Sequence, residues 1–492
     1  MSEQQQRDDI AAIAKGGRTN LLGFPLRLSA RIPFLFIAGR LYGDAALGRF
    51  ASALVVIEFL ALIASMGLKR GLARRLTEED VHPANVVGDA MLICLFMGSL
   101  FAGALLLFPA PMFPSGQYSE YDLLLPLAIL PLTMTDIALS ALAYRYDIGT
   151  TVRARSIVEP WTLSISAGAF YFIAPHGGLA LAFIMSMVTA WAAAMLPLIK
   201  SYGLPKAWQP HPLHLAKLAR ANAPLAVAEG IEWGSRRLDI AILGIFASPS
   251  AVGVYYVAQQ VASLPQKLKT SFEPILGPVI TRSLRDRDYK AIALQVCQVG
   301  FWITAAQTGI ALALGIPGEG VMGLVGPTFV GGTGALGFLL AAEVVAATAV
   351  VSEAALVYVA RMKNLLISLS TISLQAILTI GGILLVDELG LDQLYRAAAA
   401  AAALMLSLAI ASLLKSRLLA GILGESINNW RWALVWAAAA AVVVGWAATY
   451  FLPEWAELAF GIPAILAIYC WVIWNKGFGP EDRVLFRKST AK

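Results

Sequence analysis

Long apolar runs recur along this chain, separated by short polar turns. A helix needs about 20 apolar residues to span a bilayer. On that measure the pattern predicts about fourteen membrane helices, at 21–41, 46–68, 86–108, 121–144, 156–174, 178–199, 218–247, 252–280, 291–316, 333–360, 364–386, 393–414, 432–452 and 456–474. The bounds are least sharp at the polar first helix and across 218–280, where two long segments carry many charges. No turn between the runs is long enough for a separate soluble domain.

The polar turns alternate in charge. If the N-terminus is cytoplasmic, the inside turns hold Lys69, Arg70, Arg74 and Arg75; Arg145, Arg153 and Arg155; Lys200, Lys206, Lys217 and Arg220; Arg282, Arg285, Arg287 and Lys290; Arg361 and Lys363; and Lys415, Arg417 and Arg431. The outside turns at 109–120, 175–177, 248–251, 317–332, 387–392 and 453–455 contain no Lys or Arg. Basic turns stay on the cytoplasmic side during insertion. A missed or extra helix would invert every later turn, so the regularity predicts an even count with both ends inside. Arg40 and Arg49, at the edges of the first outside turn, break the pattern.

Two stretches resemble each other. Gly43-Asp44-Ala45-Ala46-Leu47-Gly48-Arg49-Phe50-Ala51-Ser52-Ala53 joins the first two spans, and Ser248-Pro249-Ser250-Ala251-Val252-Gly253-Val254-Tyr255-Tyr256-Val257-Ala258 joins the seventh and eighth. Both sit on the outer side, so the two halves share an orientation. The expected fold is an all-α polytopic membrane protein with two pseudo-symmetric six-helix lobes and two additional C-terminal helices. Its parts are a cytoplasmic tail (1–20), an N-lobe (21–199), a cytoplasmic linker (200–217), a C-lobe (218–414), the two extra helices (415–474) and a basic tail (475–492). Repeats of this kind are common in transporters.

Composition agrees. The 492 residues are 58% hydrophobic and 14% charged, with mean hydropathy +0.71. A soluble protein carries roughly 25% charged residues. The net charge of +6 follows from the inner basic turns, so nucleic acid is not an expected partner. Cys94, Cys297 and Cys470 lie in apolar runs without metal-ligand spacing and read as small hydrophobes. A cleaved signal peptide is not expected, because the first apolar run carries Arg27 and Arg31. His211 and His214 lack nearby ligands for a metal, and the outer glycine runs lack the Lys-Ser/Thr of a phosphate loop. No cofactor is expected.

Ionisable groups inside spans are the candidate chemistry, since each costs about 2.5–3.5 kcal/mol at a helix centre and is usually paired or faces a wet cavity. Arg27 and Arg31 share one face of the first helix; they either snorkel to headgroups or line a cationic cavity. Glu229, Glu232, Arg236 and Asp239 fall within one quadrant of the seventh helix, and Glu232 with Arg236 also reads as an i,i+4 pair. Lys267 and Lys269 in the eighth helix are cavity or inner-collar residues. Glu58, Asp136, Glu343 and Glu353 stand in other spans as candidates for proton or sodium coupling, or as interhelical hydrogen-bonding carboxyls. Prolines in the first, fourth, seventh and eighth spans (among them Pro33, Pro126, Pro131, Pro224 and Pro265) predict kinks.

The run Gly39-Arg40-Leu41-Tyr42-Gly43, then Leu47-Gly48-Arg49-Phe50 and Met66-Gly67-Leu68, resembles the opening helices of bacterial polysaccharide transporters, the Wzx-type flippases. Arg237-Leu238-Asp239-Ile240-Ala241-Ile242-Leu243-Gly244 with Ala251-Val252-Gly253-Val254-Tyr255 resembles their mid-chain repeat. They belong to the multidrug/oligosaccharidyl-lipid/polysaccharide superfamily, which also holds lipid II flippases and drug extruders. The resemblance implies alternating access in the bacterial inner membrane, with an undecaprenyl-diphosphate-linked oligosaccharide as cargo, membrane lipids around it and polysaccharide-assembly proteins as partners. Arg27, Arg31, Arg236, Lys267 and Lys269 would then form the cationic cavity, with H+ or Na+ coupling. A cation-coupled drug or metabolite antiporter is the alternative. A membrane glycan polymerase or ligase fits less well, because it would need a large catalytic outer loop.

Overall fold

A computed structural model describes residues 32–77, 82–285, 287–479 and 482. Among them every regular element is helical. We label the helices α1 (residues 32–42), α2 (Gly43–Ala64), α3 (Leu68–Leu76), α4 (Pro83–Leu107), α5 (Ile129–Tyr144), α6 (residues 148–171), α7 (Gly178–Tyr202), α8 (Pro212–Phe246), α9 (Pro249–Arg285), α10 (Tyr289–Gly315), α11 (Thr333–Val359), α12 (Arg361–Glu388), α13 (Gln393–Leu423), α14 (Trp432–Phe451) and α15 (Glu454–Gly477). Ten helical stretches among the described residues are long and apolar enough to cross a membrane. The first, Ile32–Leu76, takes in the end of the first predicted span and the whole second one. α6, α8 and α9 align with predicted spans but are too polar or charged to count among the ten. The chain is an all-α polytopic membrane protein.

The chain divides into two compact units, Met1–Gly253 and Val254–Lys492. The first takes in α8, which packs on α2, although the sequence reading begins the second lobe at 218. In this unit Leu72, Val86, Ala90, Cys94, Ile137, Leu142, Ala194 and Leu198 form one core. In the second unit, α11 and α13 are the most closely packed pair, and the run Ala397–Ala403 supplies much of the small surface that permits it. Water cannot drive helix association inside a bilayer, so close packing of small residues does.

The repeat is visible in geometry as well as sequence. A 3-10 turn, Asp122–Ala128, leads into α5, and a second, Pro327–Gly332, leads into α11. The same offset of 205 residues separates Asp122 from Pro327 and Gly48 from Gly253. Pro126 lies within the first of these turns and Pro131 within the first turn of α5. Both therefore shape a helix entry, where a missing N–H is tolerated, rather than a mid-span kink.

Within the first unit the two repeat glycines meet. A Cβ at Gly48 would strike the carbonyl of Pro249 and come within 2.8 Å of the Gly253 nitrogen. A Cβ at Gly253 would strike the Asp44 carbonyl and lie 3.0 Å from the Gly48 nitrogen. The starts of α2 and α9 thus cross backbone to backbone, and Ser250 donates a hydrogen bond to Asp44 there. Arg49, one of the exceptions to the charge pattern, has a structural partner. Its Nε lies 3.1 Å from Oδ2 of the buried Asp122, and its Nη2 donates to the His176 carbonyl at 3.2 Å.

Candidate functional site

The break after α2 positions the first charges. Met66 (φ 49°) and Gly67 (φ 73°) turn the chain through the left-handed region, which glycine enters without a Cβ penalty. α3 then buries Leu68, Leu72 and Leu76 and leaves Lys69 and Arg70 exposed. It lies hard against α8: a Cβ at Gly67 would strike the Asn222 carbonyl, and one at Gly71 the Asn222 side chain. Two bare glycines therefore bring Arg70 within reach of the acids on α8.

Arg70 Nη2 donates to Glu232 Oε2 at 2.6 Å. Its Nε stands 3.2 Å from Glu229 Oε1, an ion pair without hydrogen-bond alignment. The other Glu232 oxygen accepts from Arg236 at 2.9 Å, one turn along α8. Lys69 points the other way, 3.1 Å from Asp136 Oδ2 on α5. Asp136 Oδ1 accepts from Arg155, whose Nη1 donates to Glu159 at 2.7 Å. A π-helical stretch, Arg153–Val158, widens α6 at that point, a distortion frequent at functional positions. Glu58 on α2 pairs with Arg237 at 3.3 Å, beside the Phe59–Trp233 ring contact at 4.7 Å.

The resulting band on α2, α3, α5, α6 and α8 joins Lys69, Arg70, Arg155, Arg236 and Arg237 to Glu58, Asp136, Glu159, Glu229 and Glu232. Bases and acids balance. The side chains of Arg70, Glu232 and Arg236 are 53%, 47% and 51% exposed. Charges in apolar runs are usually paired or face a wet cavity, and each of these three is paired.

The second unit holds a smaller site. Lys415 Nζ, on α13, lies 2.9 Å from Glu353 Oε2 on α11 and donates to Ser368 Oγ on α12 at 3.1 Å. Asn364 donates to Glu353 Oε1 at 3.5 Å. Farther along, Arg431 donates to the Gly477 carbonyl and to Asp482 Oδ2, both at 2.6 Å. Trp302 Nε1 and the Gly479 amide also donate to Asp482, at 2.8 and 2.9 Å. Burial works to raise the Asp482 carboxyl, but the hydrogen bonds from Arg431, Gly479 and Trp302, together with the Arg431 charge, outweigh it. They hold the group below the usual carboxylate value.

The expected residues are distributed as follows. Arg27 and Arg31 lie outside the described residues, as do the side chains of Lys267 and Lys269. Arg236 is paired with Glu232 rather than standing as an open cation. Of the acids expected on one face of α8, Glu229 and Asp239 are buried while Glu232 is exposed. Glu58, Asp136 and Glu353 each have a basic partner, and Glu343 is half-buried on α11. Lys69, Arg70, Arg155 and Lys415, read from sequence as inner-turn charges, are instead the bases that hold those acids. One local signal was available: Arg155 and Glu159 have i,i+4 spacing. Among the described residues, no group of three or more His, Cys, Asp or Glu could hold a metal ion.

Several solved structures share this fold. The chain is similar to the lipid II flippase MurJ in an inward closed conformation (TM-score 0.69, 12% identity, 95% of this chain and 100% of that one). It is similar to an inward-facing multidrug resistance MATE family transporter of the MOP superfamily (0.64, 14%, 81% and 94%). A third is a MOP superfamily transporter from Pyrococcus furiosus, described as having a binding pocket of reverse polarity (0.56, 15%, 84% and 95%). At these identities the likeness establishes the fold. No curated protein matches the chain. A family model described as "Polysaccharide biosynthesis protein" matches residues 37–305, more than half of the sequence. The protein therefore belongs to the polysaccharide biosynthesis protein family.

Proposed function

We propose that the protein is a flippase that moves an undecaprenyl-diphosphate-linked oligosaccharide across the bacterial cytoplasmic membrane for surface polysaccharide assembly. The observation that carries this reading is the half-exposed band of paired charges on α3 and α8 in a member of a polysaccharide biosynthesis family. A glycan and a diphosphate cannot cross hydrocarbon unaided, because each unsatisfied polar group costs several kcal/mol there. A recess lined by Arg70, Arg236 and Glu232 would replace their water with charge-assisted hydrogen bonds. The polyprenyl tail would stay in lipid. The lipid-linked cargo of the neighbouring lipid II flippase supports this class of substrate.

Alternating access suits an all-helical, two-unit chain with an internal repeat. We place both termini in the cytoplasm on the strength of the basic turns, and take the driving force to be an H+ or Na+ gradient. Polysaccharide-assembly proteins would be its partners.

Deleting the gene and assaying lipid-linked oligosaccharide by leaflet tests the proposal. Accumulation in the inner leaflet, with loss of surface glycan, is expected. Normal surface glycan with raised drug sensitivity would refute it and point to an antiporter of the same fold.

A further inference from the structure

Arg70 and Arg236 grip the two oxygens of one carboxylate, Glu232, at 2.6 and 2.9 Å. All three side chains are about half exposed. Glu229 differs sharply. It lies behind Arg70 at 3.2 Å, and its side chain is 6% exposed. Two acids on one helix thus share one arginine in unequal surroundings. The other pairs at the α5–α6 end of the band are more enclosed: Asp136 is 24% and Arg155 18% exposed.

We propose that Glu232 is a built-in counter-anion that occupies the Arg70–Arg236 site in the empty protein and is displaced by the phosphoryl oxygens of an incoming diphosphate. The assignment rests on the transport reading above, and it specifies how that site selects its cargo. Glu232 is already half exposed, so releasing it costs little desolvation. Glu229 does not, so it stays and keeps Arg70 aimed at the site. A neutral or cationic molecule has nothing to offer the two arginines and cannot displace the carboxylate. A diphosphate can, because its several oxygens satisfy both guanidinium groups by charge-assisted hydrogen bonds. Together with Glu229, the internal acid thereby balances the two arginines when no cargo is present, and it sets a threshold that weakly charged ligands fail to pass.

The test has an unusual sign: removing a charged residue from the binding site should tighten binding. The full-length chain in detergent, and separately in lipid nanodiscs, is titrated with inorganic pyrophosphate and with a polyprenyl diphosphate. Glu232→Gln is expected to bind both about threefold to tenfold tighter than the unmodified chain, the worth of one or two half-exposed ion pairs. Arg70→Ala and Arg236→Ala are expected to bind both more weakly, and Glu229→Gln to bind no tighter. Thermal unfolding of each variant establishes that it is folded, and Glu232→Ala serves as a second removal of the acid. Unchanged or weaker binding by both folded Glu232 variants overturns the proposal. So does equal tightening in Glu229→Gln. Tightening toward pyrophosphate alone overturns the lipid headgroup as the source of the anion. The leaflet assay separates the two levels. If the unmodified chain flips its lipid while Glu232→Gln binds no tighter, the counter-anion is wrong and the transport role stands. If Glu232→Gln tightens both ligands but the unmodified chain flips nothing, the anion switch stands and the transport role fails.

Discussion

The Glu353–Lys415 pair permits a quantitative test because its members have unequal access to water. The Lys415 side chain is 7% exposed and that of Glu353 44%. Glu353→Gln leaves the ammonium enclosed, with Ser368 Oγ as a neutral partner and no counter-charge. Breaking a buried pair in this way costs about 3–5 kcal/mol. Because Glu353 itself is partly hydrated, the attraction it supplies is screened, and about 2–3 kcal/mol is the expected loss. Lys415→Met has a different outcome. The methionine retains most of the apolar stem, and Glu353 turns to water, so about 1 kcal/mol or less is lost. The double variant Glu353→Gln/Lys415→Met removes both charges and should recover most of the larger loss. Thermal unfolding in detergent, read by size-exclusion fluorescence, ranks the three. The expected order of stability is Lys415→Met and the double variant close together, with Glu353→Gln clearly lowest. If Lys415→Met is destabilised as much as Glu353→Gln, or if the double variant is worse than both singles, Lys415 is not a trapped charge and the reasoning fails.

Two further outcomes follow from the described contacts. Gly48→Val and Gly253→Val each force side-chain atoms into an opposing backbone carbonyl, so either should separate the starts of α2 and α9 at a cost of about 1–3 kcal/mol; cysteines placed at Asp44 and Ser250 should cross-link in the parent chain and fail to do so in either valine variant. The depressed Asp482 carboxyl gives the residue 482 latch a defined pH response. A group whose folded pKa lies below its unfolded value, about 3.9 for Asp, stabilises fully above that value and loses its contribution as the pH falls through the folded one. Protease sensitivity of the C-terminal segment should therefore stay flat at neutral pH and rise in that acidic window. Asp482→Asn should be sensitive throughout, and a parent chain whose sensitivity rises toward alkaline pH would contradict the assignment.

Much of this protein was legible from its sequence alone. Every span predicted between residues 46 and 474 corresponds to a helical segment, since a bilayer about 30 Å thick imposes one length and one composition on whatever crosses it. The glycine repeat was readable for a related reason: Gly48 and Gly253 are places where another backbone must pass, and no other residue leaves that space. The sequence also marked Glu58, Asp136, Glu229, Glu232 and Glu353 as exceptional, because charge is scarce in apolar runs. It did not supply their partners. Lys69, Arg70, Arg155 and Lys415 fall at the ends of spans, where one-dimensional reading assigns basic residues to the inner headgroups. The turn at Met66-Gly67, the contact of Gly71 with Asn222 and the extension of α13 to Leu423 return them to the acids. Nor could the sequence separate Glu229 from Glu232, three residues apart on one face, although one is enclosed and the other half exposed. Hydrophobicity is a property of each residue and its neighbours in the chain, so the sequence determines which segments enter the membrane. Pairing and exposure depend on which helices lie side by side, and only the tertiary structure decides that.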